Sequence, residues 1–206
     1  MAAGSGGGQL PFVGLTGAMA AGKTEALEAL ERLGAATISS DAVVHELLEG
    51  EELRDLLVER FGHRVAPRGE VDRAAVAEVV FADDEGRDWL EGQLWPRVGE
   101  RIAAWREQLR HRSRPPRAAV VEVPLLFEAG MEAGFDATVA IVASDPVREE
   151  RAAARGHAGV ESRARRQLQQ GEKARRADYV VENDGDLPEL ERKMSQVLDE
   201  VTAWAR

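Results

Sequence analysis

Short apolar runs alternate along the chain with longer segments in which apolar residues recur every three or four positions. The apolar runs predict five buried strands, at residues 11–17, 35–39, 118–124, 137–143 and 177–183. The longer segments predict helices, at residues 23–33, 41–61, 73–82, 89–110, 145–155, 161–173 and 186–205. Strands that alternate with helices form a parallel sheet, so the sequence predicts an α/β fold with helices on both faces of the sheet.

Parallel sheets of this kind bind ligands just beyond the carboxyl ends of their strands. Four segments therefore become the first places to look for chemistry: residues 16–24, 39–41, 124–128 and 144–148. Each directly follows one of the first four predicted strands.

Length and composition narrow the class of protein. The chain has 206 residues, of which 44% are hydrophobic, and it shows no internal repeat, which favours one domain with a packed core. The absence of cysteine excludes disulfides, a thiolate nucleophile and cysteine-based zinc sites. A net charge of −10 argues against a general duplex-DNA binder. No apolar run reaches the length of a membrane span, and residues 1–9 predict a flexible tail without signal-peptide features, so we expect a cytoplasmic protein. A monomer is expected, and an oligomer is the alternative.

Positive charge is concentrated in one part of this acidic chain. Residues 148–176 contain nine basic and four acidic side chains. Such a block favours a local anionic ligand, and the alternative is a solvated helical face with ion pairs. The stretch from Arg97 to Arg117, with seven arginines, is typical of an exposed helix.

The first predicted strand runs directly into a segment that fits the phosphate-binding pattern G-x-x-x-x-G-K-[ST]. Small residues let backbone N–H groups surround a phosphate, and the positive end of the following helix points at the same phosphate. The alternative is a turn that only packs the helix on the strand. The chain has three lysines against twenty-four arginines, and one lysine stands in this pattern. The predicted ATP-binding residues are Gly17, Ala18, Met19, Ala20, Ala21, Gly22, Lys23 and Thr24.

Further segments have the order and spacing of a known family. They are Ser39-Ser40-Asp41 with His45, Val71-Asp72-Arg73, Trp89-Leu90, Leu94-Trp95-Pro96, Glu122-Val123-Pro124-Leu125-Leu126-Phe127-Glu128, Asp145-Pro146 with Arg151, Arg155 and Lys173, and Ala177-Asp178-Tyr179-Val180-Val181-Glu182-Asn183-Asp184-Gly185. Together they resemble the dephospho-CoA kinase family over about residues 11–190. The resemblance implies a P-loop NTPase-type fold with a helical acceptor-binding region at about 60–112 and a lid at about 148–176. It also implies that ATP, with Mg²⁺, phosphorylates the ribose 3′-hydroxyl of dephospho-coenzyme A in the last step of coenzyme A biosynthesis.

The resemblance also implies roles for individual residues. Asp41 aligns with the catalytic base, and Lys23 and Arg151 would act on the transferring phosphoryl group. Arg155 would contact the ATP phosphates, Arg73 and Trp95 would lie at the acceptor, and Thr24 and Glu122 would serve the metal. Such a set suits phosphoryl transfer, which depends on positioning and charge neutralisation.

The residues alone leave simpler roles open. Asp41 could cap the helix that follows it, and Glu122 could be a capping or solvent-facing acid. His45 is typical of a packed or hydrogen-bonded helix residue. Packing roles are expected for Trp89 and Trp204, and solvent exposure for Arg163, Arg165 and Arg166.

Four positions depart from the family pattern. Ala18 and Ala20 stand where the family has glycine, which costs about 1 kcal/mol or more wherever φ is positive. Trp95 replaces a histidine associated with the acceptor, and Ser39 replaces a second aspartate. An active enzyme is still expected, with altered rate or acceptor preference. The alternatives are another small-molecule kinase, such as one acting on a nucleoside monophosphate, and a P-loop binding protein that has lost catalysis.

Overall fold

A five-stranded, all-parallel sheet forms the centre of the computed structural model, which describes residues 9–154 and 167–203. Its strands lie in the order β2-β3-β1-β4-β5. They are β1 (Phe12–Gly17), β2 (Ala36–Ser39), β3 (Ala119–Glu122), β4 (Ala137–Val142) and β5 (Tyr179–Glu182). The predicted α/β class, the parallel sheet and all five strands are confirmed.

Eight α-helices lie within the described ranges. They are α1 (Lys23–Arg32), α2 (Ser40–Glu49), α3 (Glu51–Phe61), α4 (Arg73–Ala82), α5 (Asp84–Arg110), α6 (Asp145–Ala154), α7 (Gln170–Arg176) and α8 (Leu187–Ala203). Short 3₁₀ turns lie at His63–Val65 and Glu132–Gly134. In this part of the chain, no helix is long and apolar enough to cross a membrane.

Three helix predictions need correction. The helix predicted at 41–61 is two helices, because Gly50 is extended (φ −73°, ψ 142°) and separates α2 from α3. The helix predicted from Trp89 begins at Asp84 and runs through Pro96, at the cost of one backbone hydrogen bond. The helix predicted at 161–173 corresponds to α7 at Gln170–Arg176, and residues 161–166 lie outside the described residues, as do 1–8, 155–160 and 204–206.

The chain divides into two compact units. The sheet unit comprises Met1–Ser39 and Gln108–Arg206, and the helical unit comprises Ser40–Glu107. The helical unit thus begins earlier than the helical region that the sequence indicated from about residue 60. Its assignment to acceptor binding, and that of residues 148–176 to a lid, remain predictions.

The core of the sheet unit explains why its central strand is apolar throughout. All six residues of β1 are buried, because β1 has a strand on each side and side chains packed on both faces. On one face Val13 and Leu15 pack with Leu30 of α1 and Met194 of α8. Gly17 ends the strand, and a Cβ there would lie 2.4 Å from the carbonyl oxygen of Ile141. Only glycine therefore lets β1 and β4 pair up to the point where the following loop begins.

The helical unit has its own apolar core. Leu57, Val65, Val76 and Leu90 lie at its centre and are almost fully buried. Trp89 packs against this cluster and meets Phe61 edge to face, with ring centroids 5.5 Å apart. The packing role predicted for Trp89 is thus confirmed, whereas Trp204 lies outside the described residues.

Candidate active site

The loop between β1 and α1 has the backbone geometry of a phosphate cradle. Gly22 precedes α1 in the left-handed region, at φ 96° and ψ 34°, and provides no side-chain cap for the helix. The amides of the first turn of α1 are therefore left to an anion or to water. A Cβ on Gly22 would lie 2.0 Å from Nδ2 of Asn183, so this glycine is required by both conformation and space.

Lys23 holds its charge over this loop. Its Nζ donates hydrogen bonds to the carbonyl oxygens of Gly17, at 3.2 Å, and Ala18, at 3.1 Å. The half-buried side chain thus curls back along the loop that its own helix follows. An ammonium group with donors in this position can exchange a carbonyl contact for a phosphate oxygen without moving far.

Thr24 and Glu122 provide the donor types that Mg²⁺ prefers. Thr24 is exposed in the first turn of α1. Glu122 is the last residue of β3, is half-buried, and lies in register with Leu15 on one side and Ser39 on the other. The described residues contain no group of three or more ligating His, Cys, Asp or Glu side chains. A hydroxyl and a carboxylate fit Mg²⁺ that takes its other ligands from phosphates and water, as this ion usually does.

Two contacts tie α6 and β5 to the loop. Arg148 on α6 donates from Nε to the carbonyl oxygen of Met19, at 3.1 Å, and from Nη1 to Asp145, at 2.9 Å. Asn183, which follows β5, donates from Nδ2 to the carbonyl oxygen of Ala21, at 2.9 Å. Met19, Ala20 and the buried Ala21 are thereby held from the side of the sheet opposite to β3.

The structure describes one of the two predicted lid arginines, Arg151. Arg151 donates from Nη1 to the backbone oxygen of Asn183, at 2.9 Å, so it shares a partner residue with the loop. Arg155 lies outside the described residues, as do Arg163, Arg165 and Arg166. In the basic block at residues 148–176, Arg175 also forms an ion pair with Glu172, and Arg176 forms one with Glu132. These two pairs agree with the alternative of a solvated helical face.

The helical unit carries the predicted base and acceptor residues. Because α2 begins at Ser40, Asp41 lies inside its first turn rather than at the N-cap position. His45 follows one turn later on the same face of the helix, and its Nε2 contacts Nη1 of Arg73, the first residue of α4. His45 is thus hydrogen-bonded, as expected. Asp72 caps α4 by accepting from the N–H groups of Ala74, at 3.0 Å, and Ala75, at 3.2 Å, while Trp95 lies on α5 and is 37% exposed.

Sequence reasoning assigned no individual role to Arg148, Asn183 or the buried Lys173, although all three lie in segments that the sequence pattern singles out. Asn183 carries a usable signal, since it directly follows β5 and parallel sheets bind ligands just beyond the carboxyl ends of their strands. Arg148 lies in the segment 144–148, which follows β4, but the basic block around it contains many other arginines. Nothing in the local pattern around Lys173 distinguishes it from a solvent-exposed helix residue.

Comparison with known proteins places this geometry in a family. A sequence profile described as dephospho-CoA kinase matches residues 11–189. The chain belongs to the dephospho-CoA kinase family. A dephospho-CoA kinase from Moorella thermoacetica is 41% identical over 181 residues, which are 85% of each chain. Another from Symbiobacterium thermophilum is 38% identical over 183 residues, which are 85% of this chain and 75% of that one.

Solved structures agree on the fold. The crystal structure of TT1252 from Thermus thermophilus matches with a TM-score of 0.79 and 32% identity, over 93% of this chain and 98% of that one. A dephospho-CoA kinase from Campylobacter jejuni matches with a TM-score of 0.62 over 93% of this chain, and at 23% identity that likeness concerns the fold alone. The chain has the activity of the dephospho-CoA kinase family, ATP-dependent phosphorylation of dephospho-coenzyme A, the final step of coenzyme A biosynthesis.

The structure shows which departure from the dephospho-CoA kinase pattern affects the backbone. Ala20 has a φ of 58°, in the left-handed region where glycine is favoured, and is the one non-glycine residue of the described ranges with positive φ. Ala18 is not in that region, so its replacement of glycine carries no such strain. Ser39 lies in register with Glu122, which places a hydroxyl where an aspartate would have set a second carboxylate.

Proposed function

We propose that this chain transfers the γ-phosphoryl group of ATP to the ribose 3′-hydroxyl of dephospho-coenzyme A, using the residues that follow β1, β2, β3 and β4. The observation that supports this best is the loop from Gly17 to Thr24. Its conformation leaves the first amides of α1 without a side-chain cap, and the Lys23 ammonium lies on the carbonyls of Gly17 and Ala18.

The loop binds and orients the triphosphate. The N–H groups of the loop and of the first turn of α1 donate to phosphate oxygens, and the helix dipole favours the negative charge there. Lys23 turns from the carbonyls to the β- and γ-phosphates. Because these donors are already held in place, little reorganisation accompanies the build-up of charge in the transition state.

Asp41 orients the acceptor and takes its proton. A carboxylate accepts a hydrogen bond from the 3′-hydroxyl, which directs the oxygen lone pair at the γ-phosphorus. It receives the proton as the new P–O bond forms, while the bond from the γ-phosphorus to the β,γ-bridging oxygen breaks and ADP leaves. Arg73 and Trp95 bind the acceptor, Arg73 through its guanidinium and Trp95, which is 37% exposed, through its ring.

Arg151 neutralises charge on the transferring group, and Arg155 contributes to the same phosphates. Thr24 and Glu122 hold Mg²⁺, directly or through water. When bound, this ion neutralises charge on the phosphate oxygens. The chain's own contribution is to fix the hydroxyl of Thr24 at the start of α1 and the carboxylate of Glu122 at the end of β3.

Removal of the proposed base tests this assignment. With ATP, Mg²⁺ and dephospho-coenzyme A, the wild type should give a product phosphorylated at the 3′ position. Asp41→Asn should lower kcat by two orders of magnitude or more while ATP binding is retained. Glu49→Gln, an exposed change on the same helix, provides the matched control and should leave kcat unchanged.

Two results would reject the proposal. One is full activity of Asp41→Asn, which would show that the base has been misassigned. The other is product in the Lys23→Ala variant at the wild-type rate, which would show that the loop does not hold the reacting phosphates. Assays with a panel of acceptors that includes nucleoside monophosphates measure acceptor preference. This preference is of interest because Trp95 replaces the histidine of the family pattern.

Both substrates are small water-soluble molecules, and we propose that the enzyme meets them in the cytoplasm as a monomer. Fractionation of cells that express the tagged full chain, followed by sedimentation of the purified protein, tests both statements. Recovery in the membrane fraction would contradict the first, and a sedimentation coefficient that rises with protein concentration would contradict the second.

A further inference from the structure

Lys173 is the one charged side chain among the described residues that is fully buried. Lysine is among the residue types that are almost never fully buried unless paired, because removing an ammonium group from water is costly. The proposed mechanism makes no use of this residue. It lies on α7, between β4 and β5 in the chain, and so 150 positions after Lys23.

The three N–H bonds of the Lys173 ammonium have three partners. Nζ donates to the carbonyl oxygen of Pro124, at 2.6 Å, and to Oγ1 of Thr16, at 3.3 Å. It also forms an ion pair with Oε1 of Glu128, at 2.9 Å. The Thr16 hydroxyl in turn donates to the same Pro124 oxygen, at 3.3 Å, which closes a triangle of polar contacts.

These partners belong to two strand ends that the reaction uses. Thr16 is the residue before Gly17, where the phosphate-binding loop begins. Pro124 lies two residues after Glu122, the last residue of β3. Lys173 thus joins the chain just before the loop to the chain just after the proposed metal ligand. A backbone hydrogen bond from the N–H of Val123 to the oxygen of Leu15, at 2.9 Å, joins the residues just before Pro124 and Thr16. The contacts of Lys173 extend this connection by one residue on each strand, into the two segments that the reaction uses.

We infer that Lys173 is a positioning residue, which fixes the carboxyl ends of β1 and β3 relative to each other and so sets the phosphate-binding loop against Glu122. This inference rests on the roles proposed above for the loop and for Glu122. A displacement of about 1 Å between groups that hold one substrate can cost roughly 10²-fold in rate. The effect is therefore expected in kcat rather than in the affinity for ATP.

The residue type fits this role better than it fits stabilisation. A buried ion pair is weak grounds for stability, because the desolvation of both charges offsets their attraction. The chain otherwise uses arginine almost throughout, with three lysines against twenty-four arginines. A compact ammonium directs three rotatable donors at closely grouped oxygens, whereas a guanidinium is larger and holds its five donors in one plane.

The helix that carries Lys173 has a second anchor. Gln170, the first residue of α7, accepts from the N–H of Ala143, at 3.2 Å, and donates to its carbonyl oxygen, at 2.8 Å. Glu128 also accepts from the N–H of Leu168, at 2.7 Å. Replacing Lys173 and the charge of Glu128 therefore leaves α7 attached to the end of β4, and a folded variant can be expected.

Three variants separate positioning from stability: Lys173→Met, Glu128→Gln and the double variant. Lys173→Met leaves the Glu128 carboxylate, 13% exposed, without its cation and should lower the melting temperature. The double variant removes both charges, keeps an oxygen for the Leu168 N–H, and should regain most of the melting temperature. We expect its kcat to stay at least tenfold below wild type, with the KM for ATP within threefold.

The same assays contain the results that would overturn the inference. Recovery of both kcat and the melting temperature in the double variant would show that the role of Lys173 is purely structural. Failure of both Lys173→Met and the double variant to fold would show the same. Lys173→Arg keeps the charge and should not restore kcat; wild-type kcat in that variant would also overturn the inference. Lys193→Met, on α8, is the matched control and should retain wild-type kcat.

The test of Lys173 and the test of the proposed function have separate readouts. The position of the phosphate in the wild-type product tests the proposed function alone. A product that is not phosphorylated at the 3′-hydroxyl would reject the proposed acceptor atom. The ratio of kcat between double variant and wild type would still decide the role of Lys173, because it concerns the loop and Glu122 whichever hydroxyl reacts.

Discussion

The side-chain amide of Asn183 and the carbonyl oxygen of Ala21 form a 2.9 Å hydrogen bond that joins the end of β5 to the phosphate-binding loop. The backbone oxygen of the same asparagine accepts from Arg151, at 2.9 Å. Asn183 is 5% exposed, and its amide lies where a Cβ on Gly22 would have to be. One residue therefore contacts both the loop and the arginine proposed to act on the transferring phosphoryl group.

Asn183→Ala should weaken ATP binding. The loop carbonyl of the buried Ala21 would lose its partner, which costs about 1–2 kcal/mol. The KM for ATP should rise about 5- to 30-fold, while the KM for dephospho-coenzyme A changes little. Steady-state kinetics with each substrate varied in turn measures both constants. Gln108→Ala removes an exposed amide from α5 as the control, and a KM for ATP within twofold of wild type in Asn183→Ala would contradict the prediction.

Ala20→Gly should stabilise the protein. Ala20 has a φ of 58°, and the left-handed region costs a residue with a Cβ roughly 1–2 kcal/mol. Part of the gain is offset by the greater freedom of glycine in the unfolded chain. The net rise in the free energy of unfolding should be about 0.5–1 kcal/mol, with tighter ATP binding. Thermal unfolding and titration with ATP measure the two effects.

Ala18→Gly, in the same loop, should have the opposite effect on the free energy of unfolding. Ala18 is 5% exposed and does not have positive φ, so glycine there brings flexibility without relief of strain. We expect a loss of roughly 0.5–1 kcal/mol in the free energy of unfolding. Equal shifts in both variants would mean that the φ of Ala20 is not the cause.

Ala18 and Ala20 show which features of the loop can be predicted from the sequence. The pattern located the loop, its flanking strand and its helix to within a residue, because small residues, an apolar run and a helical period are local signals. It could not say which of the two family glycines needs positive φ. That property depends on how residues 18–22 turn between β1 and α1, and on Asn183 more than 160 residues away.

Asp72→Ala should affect the acceptor rather than ATP. Asp72 accepts from the N–H groups of Ala74 and Ala75 and so fixes the first turn of α4, where Arg73 lies. Loss of an N-cap costs about 1 kcal/mol, and a frayed first turn leaves Arg73 less well oriented. The KM for dephospho-coenzyme A should rise several-fold, with the KM for ATP unchanged. Asp72→Ser keeps a capping oxygen and should restore the wild-type value; a rise confined to ATP would contradict this role.

Side chains that act between distant elements were beyond prediction for a different reason. A helical period marks Lys173 only as a residue of α7, between Glu172 and Ala174. Its burial follows from the close approach of α7 to the ends of β1 and β3, and its partners lie 45 to 157 positions earlier in the chain. Burial of a charge is a property of the assembled core, so no local pattern carries it.

The contribution of Lys173 to the free energy of unfolding should depend on pH, and the burial of its ammonium group determines the sign of this dependence. Desolvation lowers the pKa of the Lys173 ammonium below its ordinary value of 10.5, and the Glu128 carboxylate opposes this only in part. Between the folded pKa and 10.5 the unfolded chain therefore binds more protons than the folded one. The free energy of unfolding of the wild type, relative to Lys173→Met, should thus rise with pH through that window, by at most about 1.4 kcal/mol per pH unit. Urea unfolding of both proteins from pH 7 to pH 10.5 measures the difference, and a difference that falls with pH would mean that the attraction of Glu128 outweighs burial.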